Sequence, residues 1–377
     1  METAKRNLAL DVLRGITVAG MILVNNPGGP ERFAPLCHAP WTGCTPTDLV
    51  FPFFLLCNGA AMAFSFAKYG NSLNRDSIFK VFKRGAALFL VGLLLNMIPS
   101  HWESFDYWIS HIRIMGILQR IALCYICGGI LALWLKTPKR IVAGIAGVTI
   151  LHWILLRIFG SDPGWNTLEG NFATKVDLAV FGPDHLYHGY GIPFDPEGLL
   201  GTISGAGTLL LGYLAGLLVK HSKDIRDTAL KLFIISGVCL ALSQIWSIFL
   251  PISKPMWTGS YVLYSGGWAI FILAFLIYIL DIKGWDRWSR PFNALGRNPL
   301  FAFVMASLLV RLLRGIIHWT DAAGETVTPL GWFYDTCCVP LCCGNNEFSS
   351  LLYAICLVAL FTLMARWLYR KNIIIRL

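Results

Sequence analysis

Three short stretches near the start of the chain hold most of its candidate chemistry: Asn25-Asn26-Pro27-Gly28-Gly29, Cys37-His38-Ala39-Pro40-Trp41-Thr42-Gly43 and Thr45-Pro46-Thr47-Asp48-Leu49-Val50-Phe51-Pro52. The residue before a proline is pushed out of helical geometry, so Asn26-Pro27 ends a helix. Thr45 or Thr47 can cap the next one, with Pro52 in its first turn. A loop pinned between two facing helix ends can bring Asn25, His38 and Asp48 together. A histidine oriented by a carboxylate is a general base, and a neighbouring asparagine amide can hold a developing oxyanion. The same residues also fit an ordinary capped loop carrying one solvated histidine, and composition alone does not choose between the two.

Further candidates are charges inside apolar runs, where each is expensive unless it faces a protein interior or a wet cavity. Asp11 and Arg14 are three apart on one helical run and either neutralise each other or serve a site. In Arg113-Ile-Met-Gly-Ile-Leu-Gln119-Arg120 the two arginines are seven apart, the spacing of one helix face, and can point into a shared anion-accepting cavity. The alternative is a snorkelling Arg113 and a structural ion pair for Arg120. Arg297 and Asn298 stand at the start of another run, where helix N-terminal amides favour an anion. Arg84 is either an anion partner or a plain cytoplasmic anchor.

These residues need a frame, and composition supplies one. The 377 residues are 56% hydrophobic and 14% charged, with a mean hydropathy of +0.61. A soluble domain carries about 25% charged residues, which excludes a water-soluble globule, a disordered chain and a fibrous repeat. The net charge of +10 is dispersed between apolar runs, so it indicates orientation in a membrane and not nucleic-acid binding. Ten runs are long enough to cross the bilayer: Leu8 to Val24, Leu49 to Ala67, Gly85 to Ile98, Ile114 to Leu135, Ile141 to Phe159, Leu199 to Val219, Leu230 to Leu250, Tyr261 to Leu280, Leu300 to Leu313 and Leu351 to Leu368. With both termini cytoplasmic, 21 of the 31 Lys and Arg fall inside and 6 outside, which fixes the orientation. The first run lacks a small-residue cleavage site and is interrupted by Asp11 and Arg14, so it reads as a retained helix. The expected fold is all-α, a polytopic membrane helix bundle forming one transmembrane domain over residues 1–377. Its outer loops are about 26–47, 99–113, 160–198, 251–260 and 315–348, and the long third and fifth fold as caps.

Six of eight histidines, His38, His101, His111, His185, His188 and His318, fall on the outer side, a skew that chance or a shared function can produce. Six of eleven cysteines, Cys37, Cys44, Cys337, Cys338, Cys342 and Cys343, do the same. Disulfides are the favoured reading there, since their spacing matches no zinc ligand set and no metal is expected. Cys57, Cys124, Cys127, Cys239 and Cys356 sit in spans as packing residues. The acidic loop with Asp177, Asp184, His185, His188, Asp195 and Glu197 either receives a cationic amino sugar or is a structural lid.

The motifs Leu10-Asp-Val-Leu-Arg-Gly-Ile16, Met21-Ile-Leu-Val-Asn25, His38-Ala-Pro-Trp-Thr-Gly43, Asp48-Leu-Val-Phe-Pro-Phe-Phe54, Arg113 to Arg120, Phe194-Asp-Pro-Glu-Gly-Leu-Leu-Gly-Thr202 and Lys254-Pro-Met-Trp-Thr-Gly-Ser-Tyr261 occur in this order along nearly the whole chain. Together they resemble the heparan-α-glucosaminide N-acetyltransferase family. The likeness suggests a bacterial inner-membrane member without the luminal N-terminal domain and additional first span of the lysosomal heparan sulfate enzyme. It implies a transmembrane acyltransferase that takes acetyl from cytoplasmic acetyl-CoA and places it on the amine of a terminal glucosamine at the periplasmic side. It also implies His38 as the active histidine, with Asn25 and Asp48 beside it. The first loop departs from the lysosomal pattern in length and in Cys37, Pro40 and Cys44, which bears on the acceptor.

His38 can take the amine proton while Asp48 orients the ring and Asn25 meets the oxyanion; an acetyl-His38 intermediate is the competing route. The phosphates of CoA are expected to meet Arg14, Arg84, Arg120 and Arg297, with Gln119 and Asn298 beside them. A solute transporter without acyl transfer is the competing class, although no inverted repeat relates the two halves. An acyltransferase acting on a hydroxyl or using a longer acyl chain is a third possibility. Small and aromatic residues could serve a homodimer face.

Overall fold

The structure is a computed structural model describing residues 7–98, 104–321 and 324–375. His101, Lys5, Arg6 and Arg376, which entered the expectations above, lie outside the described residues. In chain order the helices are α1 (Leu8–Asn25), α2 (Pro46–Ser65), α3 (Arg75–Asn96), α4 (Phe105–Ser110), α5 (Ile117–Leu135), α6 (Pro138–Phe159), α7 (Phe172–Phe181), α8 (Gly201–Lys220), α9 (Ile225–Ser247), α10 (Gly259–Leu276), α11 (Arg290–Arg297), α12 (Pro299–Arg311), α13 (Pro329–Phe333), α14 (Val339–Leu341) and α15 (Asn346–Arg370). Wider π-helical turns extend α10 to Ile282 and α12 to Ile316. The starts follow local chemistry. Proline occupies the first turn of α2, α6 and α12, where no intrahelical N–H is needed. The side chains of Asn7, Thr137 and Thr258 accept the free amides of α1, α6 and α10.

Nine helices among the described residues are long and apolar enough to span a bilayer. The expected third span is also a long helix, α3, but it begins ten residues early and carries Lys80, Lys83 and Arg84 in its first three turns. Its apolar part therefore starts only at Gly85. The chain is a multi-pass, all-α membrane bundle. Large side chains such as Leu90, Trp134, Ile158, Ile234 and Leu363 stand exposed on outward faces, as lipid contact requires.

The bundle is built around α2 and α8, whose packing depends on small residues. A Cβ at Gly212 would lie 2.0 Å from the Leu56 carbonyl oxygen, so only glycine lets the two backbones meet there. The described chain ends share one face: Gly296 abuts the Asp11 carbonyl, and Asn298 bonds Ile373 and Ile375. The loops joining α1 to α2 and α6 to α8 lie on the opposite face. Both long loops carry short elements of their own. The first contains α7; the second contains α13, α14 and a small hairpin pairing Trp319 with Val327 and Thr320 with Thr326.

Candidate active site

Asp48, in the first turn of α2, anchors the site and is almost wholly buried, 1% exposed. Its Oδ2 accepts from the Ala39 amide at 3.0 Å and the Thr45 amide at 3.1 Å, with the Thr45 hydroxyl also 3.1 Å away. The Thr45 hydroxyl also lies 2.7 Å from the Cys37 carbonyl. One carboxylate thus ties the helix start to both flanks of His38. Its Oδ1 is 2.6 Å from His38 Nδ1.

The backbone of Asp48 is fixed as well. A helical carbonyl normally bonds the amide four residues on, but that residue is Pro52, which has no N–H. The Tyr261 hydroxyl, fully buried on α10, donates to this orphan oxygen at 2.6 Å. Replacing Tyr261 by Phe keeps the shape and strands the carbonyl, so Tyr261→Phe is expected to cost about 1–3 kcal/mol, read as a lowered thermal midpoint.

The loop between α9 and α10 supplies a cation. Gly43 N–H donates to the Ile252 carbonyl at 2.8 Å, pairing the two loops and bringing Lys254 beside His38. Lys254 Nζ is 3.4 Å from Asp48 Oδ1 and 3.0 Å from His38 Nδ1. If Lys254 donated to a bare Nδ1, that nitrogen would face Oδ1 at 2.6 Å as two acceptors. Nδ1 must therefore carry the proton donated to Asp48, which leaves Nε2 as the basic nitrogen.

His38, Asn25 and Asp48 line one cavity of about 390 Å³ with Tyr190, Glu197 and Lys254. Asn25 also lines an adjoining cavity of about 270 Å³ with Asn96, Gln119, Phe303 and Arg311. Asn25 is thus common to a chamber over His38 and a second one between α1, α3, α5 and α12. Burial pushes the Tyr190 phenol up, so it stays a hydrogen-bond donor.

The arginine spacing is resolved differently from either expectation. Residues 113–116 are not helical, and α5 begins only at Ile117, so the shared-face argument does not hold. Asn96 Nδ2 bonds the Arg113 and Met115 carbonyls, and Ile114 N–H bonds the His185 carbonyl. Arg113 clamps Asp195 with two 2.8 Å bonds and reaches Glu197 at 2.6 Å. Arg120 has no carboxylate partner among the described residues. It sits at the His38 end of α5, away from the chain ends, and donates to the Pro196, Glu197 and Gly198 carbonyls.

Asp177 supports the same turn. Its Oδ1 accepts from Leu199 N–H at 2.8 Å, and Gly198 packs so closely that a Cβ would lie 1.7 Å from Oδ2. Burial pushes the Asp177 carboxyl up to about 7, against the pull of the Leu199 amide. The folded state then holds this proton more tightly than the unfolded chain. Its stabilising contribution is complete below about pH 4 and is lost as pH rises through about 7. The thermal midpoint should fall across that window, and Asp177→Asn should flatten the fall. Asp177 and Asp195 are therefore lid carboxylates, while Glu197 faces the cavity.

The other expected residues are placed as follows. Asp11 and Arg14 pair at 3.1 Å. Arg84 lies over the Tyr125 ring and Arg297 over the Tyr369 ring. Arg297 ends α11 instead of opening a span, and Asn298 is occupied by the C-terminal segment. Arg84 Nε, Gln119 Nε2, Arg120 Nη1 and Arg297 Nε are buried donors without a hydrogen-bond partner among the described residues.

All eleven cysteines are free, which corrects the expected disulfides. Cys44 donates to the Thr45 carbonyl at 3.6 Å, and burial pushes its thiol up to about 12. Cys338 is buried while Cys343 is exposed. No metal-holding cluster occurs among the described residues. Of the outer histidines among the described residues, only His38 lines the chamber; His111, His185 and His318 are close to nearby backbone carbonyls. Lys254 was not singled out from sequence as a site residue. Its signal was to be one of only six outer cations, directly before Pro-Met-Trp.

Residues 6–176 match the family model described as heparan-alpha-glucosaminide N-acetyltransferase, catalytic. The match contains Asn25, His38 and Asp48 in the geometry just described. Over these residues the chain resembles this family. It is 26% identical to heparan-alpha-glucosaminide N-acetyltransferase of Mus musculus over 99% of its own length and 60% of that protein's. The Homo sapiens protein of the same name is also 26% identical, with 97% and 59% covered. The chain thus spans about three fifths of the length of these N-acetyltransferases. Both alignments extend past the family-model match to the parts that carry Asp195, Glu197 and Lys254.

Proposed function

We propose that this chain is a transmembrane N-acetyltransferase. In this reading acetyl-CoA enters from the face bearing the chain ends and the basic turns, which is cytoplasmic, and the acetyl group passes to the amine of a glucosamine-type sugar in the chamber over His38. The outer face would be the periplasm of a bacterial inner membrane. The observation that carries the reading is the His38–Asp48 pair, with Nε2 left basic, in one cavity with Asn25.

Amide formation needs a neutral amine; the cations of the chamber wall, Lys254 and Arg113, are each paired with a carboxylate, Asp48 and Glu197, which leaves His38 to take the proton. As the amine nitrogen attacks the thioester carbonyl, His38 Nε2 takes its proton. Asp48 steadies the imidazolium through Nδ1–H, and the Asn25 amide donates to the oxygen that gains charge. Collapse breaks the carbon–sulfur bond, and His38 returns the proton to the departing thiolate. In the alternative order Nε2 attacks the thioester carbonyl and expels the CoA thiolate, and the amine then takes the acetyl group while the freed Nε2 accepts its proton and passes it to the thiolate. Gln119 Nε2, an unpartnered donor beside the chamber that shares Asn25, suits an amide carbonyl of the pantetheine arm. Arg14, Arg84 and Arg297, nearer the chain ends, suit the phosphates, Asn298 is held by the C-terminal segment, and Arg120 holds the lid.

Purified protein in detergent, given labelled acetyl-CoA, is expected to label glucosamine but not N-acetylglucosamine, whose amine is blocked. Tight CoA binding with no transfer to any amine would return the solute transporter to first place.

A further inference from the structure

A second cavity, of about 450 Å³, lies at the other end of α8 from the site. Its nearest lining residue on α8, Tyr213, is twelve residues from Gly201 at the site end of the helix, roughly 18 Å away. Its rim carries Lys136 from the α5–α6 turn, Lys223 from the α8–α9 turn and Lys231 from the start of α9. Asp227 is the one carboxylate among the lining residues, and it is paired with Lys231 at 2.6 Å. Lys136 and Lys223 have no ion-pair partner among the described residues, so the rim keeps an excess of positive charge. The wall is apolar, built from Leu214, Leu217 and Leu218 of α8.

The surroundings select the kind of ligand. Beyond the turn, α9 packs along α10 and leaves α8. Ile234 and Val238 follow Lys231 at three and seven residues, on the same face of α9, and stand 58% and 52% exposed. A cationic rim therefore opens directly onto a lipid-facing apolar stripe. A free phosphate ester would use the rim and ignore the stripe, whereas a phospholipid uses both.

We propose that this cavity binds the phosphate headgroup of an anionic phospholipid, with its acyl chains lying along Ile234 and Val238. The bound lipid would staple the α5–α6 and α8–α9 turns together, far from the acetyl-transfer chamber.

The test is native mass spectrometry of the full chain released from nanodiscs of mixed phosphatidylglycerol and phosphatidylcholine. Wild type is expected to retain phosphatidylglycerol selectively. Lys136→Gln with Lys223→Gln should lower that retention by roughly thirtyfold, at about fivefold per lysine. The Lys136→Arg, Lys223→Arg pair should keep it, and neither inorganic phosphate nor CoA should displace the lipid. Equal retention of the two lipids by wild type, unchanged retention by the glutamine pair, or displacement by CoA or phosphate would each overturn the proposal.

Discussion

Replacing His38 by Ala is expected to lower acetyl transfer by at least about a hundredfold while leaving the fold and CoA binding in place. General acid–base catalysis by a positioned side chain is worth roughly 10²–10⁴, and an acetyl-histidine route would make the loss complete. The fold should survive because Asp48 keeps Lys254 and the Ala39 and Thr45 amides when the ring is gone. Rates at saturating acetyl-CoA, read beside the thermal midpoint of each protein, check both halves of this expectation. Incubating wild type with acetyl-CoA and no acceptor then separates the two chemical orders. Acetylated protein that is absent from His38→Ala supports the two-step route; its absence from both supports direct attack.

Replacing Asn25 by Ala should have the second largest effect, a fall of about 10²–10³ in kcat, which is the usual loss of one oxyanion donor. The KM for the amine should change little, because a bond made only as charge develops contributes nothing to substrate binding. Asn25 ends α1 exposed and makes no side-chain hydrogen bond among the described residues, so its loss should not disturb packing. A rise in KM with kcat intact would instead make Asn25 a substrate-holding residue.

What could be read from sequence was local in origin. Asn26-Pro27 marks the end of α1 and Thr45-Pro46 the start of α2, so the loop between them carries His38 from Asn25 to Asp48; Pro52, expected in the first turn of α2, lies beyond it because the helix already begins at Pro46. The bundle was legible because lipid demands long apolar runs; α3 departed from its expected start because helical geometry continues through Lys80, Lys83 and Arg84 beyond the apolar part. The misread features depend on partners distant in the chain. The spacing of Arg113 and Arg120 implies a shared face only if the backbone between them is helical. Over residues 113–116 it is not helical, because it bonds Asn96 and His185. Tyr261 and Lys254 act on Asp48 and His38 across more than 200 residues, and no local pattern reports such contacts. The cysteine pairs suggested disulfides by compartment alone, while the geometry leaves every thiol free.

The central claim, acetyl transfer across the membrane through His38, is tested most directly in sealed proteoliposomes that enclose glucosamine, with labelled acetyl-CoA added only outside. For molecules whose basic face is outward, the account predicts labelled N-acetylglucosamine inside the vesicles, free CoA outside, and neither product with His38→Ala. Labelled sugar formed only when both substrates share one side, or formed equally by His38→Ala, would contradict it.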